Sequence, residues 1–197
     1  MRIQELNSIG RLYFGYEEIA RALRISLESA KVSASRYVRL GLLVRLKRNI
    51  YALSERWRAA SRIERFALAN LGQSPYYISL LSALDYYEIT TQAQRGRIDS
   101  VAIKRTGELP PGDSIFRYTK IKRALYFGFV RQQGIFIAAP EKAFLDAMYL
   151  VSLGRYALDF AAIESEKLDR KEIARMSRIF PLKTREILEK YGYPGTA

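Results

Sequence analysis

The side chains best suited to recognising another molecule form a polar and basic stripe between positions 26 and 48. Arginine can donate two parallel hydrogen bonds to a guanine, serine can bond to any base edge, and valine can contact a thymine methyl group. Val32 stands on this otherwise polar face, which favours a helix that reads DNA. The alternative interpretation is an ordinary surface helix with one stray valine. The residues that we predict to contact DNA are Ser26, Glu28, Ser29, Lys31, Val32, Ser35, Arg36, Arg39, Arg45, Lys47 and Arg48.

A helix from residue 27 must present most of these residues on one face. Ser26 is placed to cap this helix by accepting a hydrogen bond from a first-turn amide, and Glu28 lies near the positive end of the helix dipole. Gly41 is typical of the left-handed residue that follows a helix. The stripe predicted to face inward comprises Leu27, Ala30, Ala34, Tyr37 and Val38.

Two further helices are predicted before this one. Residues 4–14 favour a short leading helix with Ile9, Leu12 and Tyr13 inward, and residues 17–23 favour a second helix with an apolar face. The turn that follows has Arg24 at a position where helix-turn-helix sequences favour glycine. A left-handed arginine there would cost about 1 kcal/mol relative to glycine.

A basic hairpin is predicted after the glycine. Residues 42–46 alternate, with Leu42, Val44 and Leu46 expected on one side, and Ile50–Leu53 returns after the turn. The tip would set Arg45, Lys47 and Arg48 against DNA phosphates, although a merely solubilising turn is the alternative. Helix, turn, helix and hairpin together predict an N-terminal winged helix-turn-helix.

Composition limits the chemistry available to the chain. It has 33 Lys and Arg against 20 Asp and Glu, and residues 1–60 alone hold 12 basic and 5 acidic side chains. Excess positive charge suits a polyanionic partner. Cysteine and histidine are absent, which removes thiolate ligands and the usual metal ligand and general base. Without a long apolar run or a signal-peptide core, we expect a cytoplasmic protein with no membrane partner.

The rest of the chain predicts a larger α+β domain. We assign residues 1–54 to the winged helix-turn-helix, 55–73 to a connecting helix or linker, and 74–197 to a C-terminal domain. Ser74-Pro75 is expected to open a helix that continues to Ile89, whose paired tyrosines favour packing over base stacking. About four strands are expected at 98–104, 114–118, 124–131 and Ile135–Ala138, followed by helices at 141–153, after Asp169, and at 184–191.

Catalytic motifs are missing from this second part of the sequence. It has neither the Gly-Ser dipeptide and paired aspartates of a nucleotidyltransferase nor a glycine-rich phosphate loop, and Ala102 stands where a metal nuclease would carry its acid before Lys104. Glu141 and Lys142 resemble an acid–lysine pair, but a carboxylate at a helix N-terminus explains Glu141 better. We therefore predict no enzyme, no catalytic residue, no metal site and no cofactor.

Several segments resemble the AbiEi family, the antitoxin and transcriptional-regulator half of abortive-infection (type IV) toxin–antitoxin systems. The similar segments are ALRIS, SRYVRLGLLVRLKRNIYAL, SPYYISLLSALDYYEI, YFGF and IAAPEKAFLDAMYL, of which the last is the most specific. Arg24 departs from the family's turn glycine.

The resemblance implies a sequence-specific DNA-binding regulator that represses its own operon at repeated elements of a double-stranded operator. It also implies that the C-terminal domain neutralises a nucleotidyltransferase-like toxin without forming a stable complex with it. Two alternatives remain open. One is a nucleic-acid-processing enzyme guided by the same module, and the other is an orphan protein-interaction module whose basic hairpin binds an acidic partner.

Overall fold

The computed structural model describes residues 2–94, 96–110, 112 and 114–193 of the chain. It shows a mixed α+β protein that divides into two compact units. The first unit comprises Met1–Gly72 with Leu109–Ile115, and the second comprises Gln73–Glu108 with Phe116–Ala197. Within the described residues, no helix combines the length and apolar character needed to cross a membrane.

The first unit consists mainly of helices and one hairpin. After a short 3-10 helix, Ile3–Ser8, its elements are α1 (Tyr16–Leu23), α2 (Leu27–Arg39), β1 (Leu43–Lys47), β2 (Ile50–Leu53), α3 (Ser54–Ala59) and α4 (Arg62–Leu68). The prediction of a leading helix over residues 4–14 is therefore wrong beyond Ser8. The chain extends instead at Phe14, which exchanges two backbone hydrogen bonds of 2.9 Å with Tyr51.

The core of the first unit lies between α1, α2 and the hairpin. Ala30 and Ala34 are fully buried, and their small side chains allow α2 to pack closely on Ile19 and Leu23 of α1. The predicted inward stripe is confirmed at Ala30, Ala34 and Tyr37. It is wrong at Leu27, which is 45% exposed because it occupies the first turn, beyond the edge of the packed face.

The hairpin does not alternate as the sequence predicts. Leu43 and Leu46 are both buried, although they are three residues apart, while Val44 is only half-buried. The strand register shifts between Arg45 and Lys47, and a bulge of this kind inserts one residue and reverses the side on which later residues lie. The predicted grouping of Leu42, Val44 and Leu46 on one side is therefore wrong.

The second unit is built on a six-stranded sheet. The strands are β3 (Tyr76–Ile78), β4 (Arg97–Ala102), β5 (Gly107–Leu109), β6 (Ile115–Lys120), β7 (Phe129–Gln132) and β8 (Ile135–Ala138), in the order β5-β6-β4-β3-β8-β7. The sheet mixes directions, since β3 is antiparallel to β4 and parallel to β8. The helices are α5 (Leu80–Tyr86), α6 (Pro140–Ser152), α7 (Arg170–Ser177) and α8 (Leu182–Lys190).

Several predictions for this unit are wrong, among them the strand at 124–131, where Arg123–Leu125 is a 3-10 helix and the strand begins only at Phe129. Residues 76–78 form a buried central strand where a helix was predicted to start, because β4 and β8 satisfy its backbone on both sides. The segment Gly107–Leu109, which lies outside the predicted strands, forms an additional edge strand. The helix predicted at 141–153 is confirmed as α6, and Asp169 caps α7 by accepting hydrogen bonds from Lys171 and Glu172.

Candidate nucleic-acid interface

All eleven residues that the sequence predicts to contact DNA are exposed. Eight of them belong to α2 or its N-cap, and three belong to the hairpin. Val32 is 69% exposed, although burying a valine side chain would stabilise the folded protein. Burial of Ala30, Ala34 and Tyr37 fixes the opposite face of α2, so the predicted contact face is held outward.

Ser26 and Ser29 are engaged with each other at the start of α2. The Ser26 hydroxyl accepts a hydrogen bond of 3.2 Å from the Ser29 amide and donates one of 2.9 Å to the Ser29 hydroxyl. The predicted N-cap at Ser26 is confirmed. These two hydroxyls thus stabilise the helix terminus, and their remaining hydrogen-bonding capacity faces solvent.

Glu28 and Lys31 form an exposed ion pair on the same helix. Lys31 Nζ lies 2.6 Å from Glu28 Oε1, one turn apart. Pairs of this kind contribute little because water screens them and two long side chains must be held in place. Glu28 also partly neutralises Lys31, so the net positive charge of this face comes mainly from Arg36 and Arg39.

Arg36 of α2 contacts a buried aromatic ring. Its guanidinium carbon lies 5.4 Å from the ring centre of the buried Tyr37, a weak cation–π contact that restricts the side chain. The side chain is exposed, so its hydrogen-bond donors face solvent.

The hairpin turn is fixed to α1 by Asn49, a residue that the sequence analysis did not select. Its side-chain oxygen accepts a hydrogen bond of 2.7 Å from the amide of Tyr16, the first residue of α1. A Cβ atom at Gly15 would lie 3.1 Å from the Asn49 carbonyl oxygen, so a larger residue there would push the turn by a few tenths of an ångström. Asn49 has φ +59°, a left-handed value that asparagine tolerates in turns. An asparagine at the end of the Lys47-Arg48-Asn49 turn was the available sequence signal.

Two tyrosines reinforce the same contact between α1 and β2. The hydroxyls of Tyr16 and Tyr51 lie 2.9 Å apart. Burial, followed by the hydrogen bond with Tyr16, raises the pKa of Tyr51 to about 12. The raised pKa keeps the Tyr51 phenol neutral near neutral pH, and its contact with the Tyr16 hydroxyl holds the base of the hairpin against α1.

The three basic residues of the hairpin differ in their surroundings. Lys47 Nζ donates a hydrogen bond of 2.7 Å to the carbonyl oxygen of Leu71, so its ammonium already has one protein partner. Arg45 is exposed on β1, and Arg48 is exposed in the turn itself. Arg48 is consequently the hairpin cation best placed to meet a phosphate.

Arg24 adopts the left-handed conformation that the sequence predicts, with φ 52° and ψ 53°. The amide of Ile25 donates to the carbonyl oxygen of Ala20 at 3.0 Å, which completes the helix end typical of a glycine at this position.

Replacing Arg24 with glycine is expected to raise the free energy of unfolding of the first unit by about 1 kcal/mol, because glycine adopts positive φ without a Cβ clash. Urea denaturation followed by circular dichroism measures the change. Arg21→Gly, inside α1, is the matched control and should destabilise the unit by about 0.5–1 kcal/mol. Equal destabilisation by both substitutions would contradict the assignment of strain to Arg24.

The acid–lysine candidate in the second unit has a different arrangement from a catalytic pair. Lys142 is fully buried and bonds to Asp146, whereas the Glu141 carboxylate accepts a hydrogen bond of 3.1 Å from the amide of Asp169. Lys142 and Glu141 therefore serve separate contacts. In the described part of the chain, no group of three acidic side chains is placed to hold a metal ion.

No protein-family model and no curated protein matches this sequence. Among solved structures, the fold is similar to the crystal structure of the RV2827C protein from Mycobacterium tuberculosis, with a TM-score of 0.60 and 13% sequence identity. The similarity covers 98% of this chain and 76% of that protein. At this level of identity the likeness concerns the mixed α+β fold alone.

Proposed function

We propose that this protein is a sequence-specific DNA-binding transcriptional regulator whose first unit is a winged helix-turn-helix. The observation that carries the proposal is the arrangement of α2, which buries its alanines and exposes Val32, Ser35 and Arg36. A helix with these side chains fits the major groove and can contact base edges there. The hairpin, with Arg45, Lys47 and Arg48, is the wing that contacts the neighbouring phosphates.

The rigidity of the module supports this proposal. Asn49 and the Phe14–Tyr51 backbone bonds fix the hairpin to α1, and α1 packs on α2 through the buried core. A fixed geometry between reading helix and wing lowers the entropic cost of binding. Such a regulator works in the cytoplasm, where it binds operator DNA with repeated elements.

The test of this proposal is a binding selection with the full chain and a random duplex library, followed by fluorescence anisotropy on the enriched sequence. We expect one enriched motif, bound at least about 1000-fold more tightly than unrelated duplex at physiological salt. The double variant Val32→Glu, Arg36→Glu should lose this preference, because carboxylates in the groove are repelled by phosphates. Enrichment of no motif would contradict the proposal.

Arg48→Ala is expected to weaken binding to all DNA sequences alike and to reduce the slope of log K against log salt by about one. Lys47→Ala should act in the same direction, since its ammonium retains donors beyond the bond to Leu71. Anisotropy titrations at several salt concentrations measure both slopes. Arg58→Ala, an exposed arginine of α3 outside the interface, is the control and should leave the slope unchanged.

We further propose that the protein is the antitoxin of a type IV toxin–antitoxin pair and represses its own operon. The support is the resemblance of five segments to the AbiEi family, among them IAAPEKAFLDAMYL at 137–150. The partner would be a nucleotidyltransferase-like toxin from an adjacent gene. Co-expression with such a neighbour should restore growth that the toxin alone arrests, and failure of this rescue would overturn the antitoxin role without affecting DNA binding.

A further inference from the structure

We propose that a pocket in the second unit binds the phosphate group of a small molecule. The pocket is an open cavity of about 450 Å³, and three arginines line it: Arg97, Arg117 and Arg155. Gln92 and Gln94 lie on its wall. The site belongs wholly to the second unit and shares no residue with α2 or the hairpin.

The sheet and the end of α6 bring these arginines together. Arg97 is the first residue of β4 and Arg117 belongs to β6, which is its neighbour in the sheet. Gly154, with φ +66°, ends α6 and turns the chain so that the amide of Arg155 bonds to the carbonyl oxygen of Leu150 at 2.9 Å. This glycine-dependent helix end sets Arg155 and Tyr156 on the pocket wall.

A buried carboxylate orients one of the arginines. Asp99 is 1% exposed and accepts a hydrogen bond of 2.9 Å from Arg97 Nε and one of 3.0 Å from the Tyr156 hydroxyl. Burial, followed by the charge of Asp99, raises the pKa of Tyr156, so its phenol remains a neutral donor. Asp99 engages only the Nε edge of Arg97 among the described residues, which leaves the terminal amino groups for a ligand.

The other two arginines are held more loosely. Arg155 donates a hydrogen bond of 3.2 Å to the Thr106 hydroxyl, and Arg117 lies 3.8 Å from the carboxylate of Glu108, whose side chain is 57% exposed. An exposed pair at this distance contributes little and can separate. Three guanidinium groups therefore face one buried and one exposed carboxylate, and positive charge remains in the pocket.

Guanidinium groups fit phosphate because their planar N–H donors can bond to two oxygens at once. A volume of about 450 Å³ is within the range of small-molecule sites and would admit a nucleotide. The amides of Gln92 and Gln94 can donate and accept hydrogen bonds, as the edge of a base requires. A nucleotide and a bare phosphate anion share the same phosphate chemistry here.

Isothermal titration calorimetry of the full chain with ATP, GTP and pyrophosphate tests the proposal. We expect saturable binding that Arg117→Ala, Arg155→Ala together weaken at least about tenfold, because each removes charged hydrogen bonds. Tighter binding of ATP or GTP than of pyrophosphate would identify a nucleotide, and equal binding would identify the phosphate group alone.

Two controls separate this site from general attraction to a basic protein. Arg178→Ala removes an exposed arginine elsewhere in the second unit, and Arg45→Ala with Arg48→Ala removes charge from the hairpin. Both variants should bind the three probes as the native chain does. Absence of saturable binding, or equal weakening by the pocket and control variants, would overturn the proposal. Thermal denaturation confirms that each variant is folded.

Discussion

Replacing Asp146 with leucine is expected to lower the free energy of unfolding of the second unit by about 3–5 kcal/mol, because it leaves a buried ammonium without its counter-charge. Lys142 and Asp146 are both 0% exposed. Asp146 also accepts hydrogen bonds from the hydroxyls of Tyr77 at 2.9 Å and Ser79 at 2.8 Å. Urea denaturation followed by circular dichroism and tyrosine fluorescence measures the loss.

The double variant Lys142→Met, Asp146→Leu is the control for this prediction. It removes both charges, so much of the lost stability should return, since apolar side chains of similar volume can replace a buried pair. Lys142 Nζ lies 5.1–5.4 Å from the ring centres of Tyr77, Phe127 and Phe180, which a methionine can also contact. If the double variant were as unstable as Asp146→Leu, the lost hydrogen bonds of Tyr77 and Ser79 or the changed shape, rather than the unpaired charge, would explain the loss.

The destabilisation by Asp146→Leu should grow as the pH falls. Burial lowers the pKa of Lys142 from its ordinary value of 10.5, while Asp146 opposes this effect. Without Asp146 only the effect of burial remains, so the pKa of Lys142 is lower in the folded chain than in the unfolded chain. As the pH falls, Lys142 of the unfolded chain therefore binds a proton first. Stability is then lost as the pH falls below the unfolded pKa towards the folded pKa. Urea denaturation at about pH 10 and about pH 7 should show a larger deficit at the lower pH.

Replacing Arg36 with alanine is expected to weaken binding to the selected operator sequence by about 1–3 kcal/mol and to relax the preference at one base pair. Arg36 is exposed on the same face of α2 as Val32 and Ser35, and its guanidinium rests on the buried Tyr37 ring. A base contact is lost only on the matching sequence, so binding to unrelated duplex should fall much less. Fluorescence anisotropy on the selected site and its single-base variants measures both effects.

Arg58→Ala serves again as the charge-matched control, since Arg58 lies outside α2 and the hairpin. Equal weakening on matched and unrelated DNA would assign Arg36 to the phosphates. No weakening on either would place the reading surface elsewhere in the molecule and contradict the proposed interface.

In the first unit, the sequence predicted correctly those features that depend on the backbone conformation of a single residue. Ser26 and Gly41 end α2 as predicted, and Arg24 is left-handed as the turn requires. The hairpin strands were predicted, but the bulge after Arg45 was not, because it depends on the partner strand rather than on residue type. The exposure of all eleven candidate contact residues follows from the helical period together with the polar hairpin.

The second unit was harder to predict because long-range pairing decides its local structure. Tyr76–Ile78 is too short to show the alternation of apolar and polar residues that marks a strand. It is a strand because it pairs with β4 on one side and β8 on the other. Lys142 was considered only as half of an acid–lysine pair, and its burial was not predicted, because its partner Asp146 and the surrounding aromatic rings make that position tolerable. The pocket arginines come from segments far apart in the sequence, and no spacing rule connects them.

If the protein binds DNA as proposed, the attachment of Asn49 to the start of α1 matters for any attempt to redirect it to a new target. Libraries should diversify positions 32, 35 and 36, whose side chains are exposed, although Arg36 also contacts the ring of the buried Tyr37. Gly15 and Asn49 should stay unchanged, since a Cβ at Gly15 would lie 3.1 Å from the Asn49 carbonyl oxygen and press on the turn that holds the hairpin to α1. Specificity could then be altered while the docking angle of the module is retained.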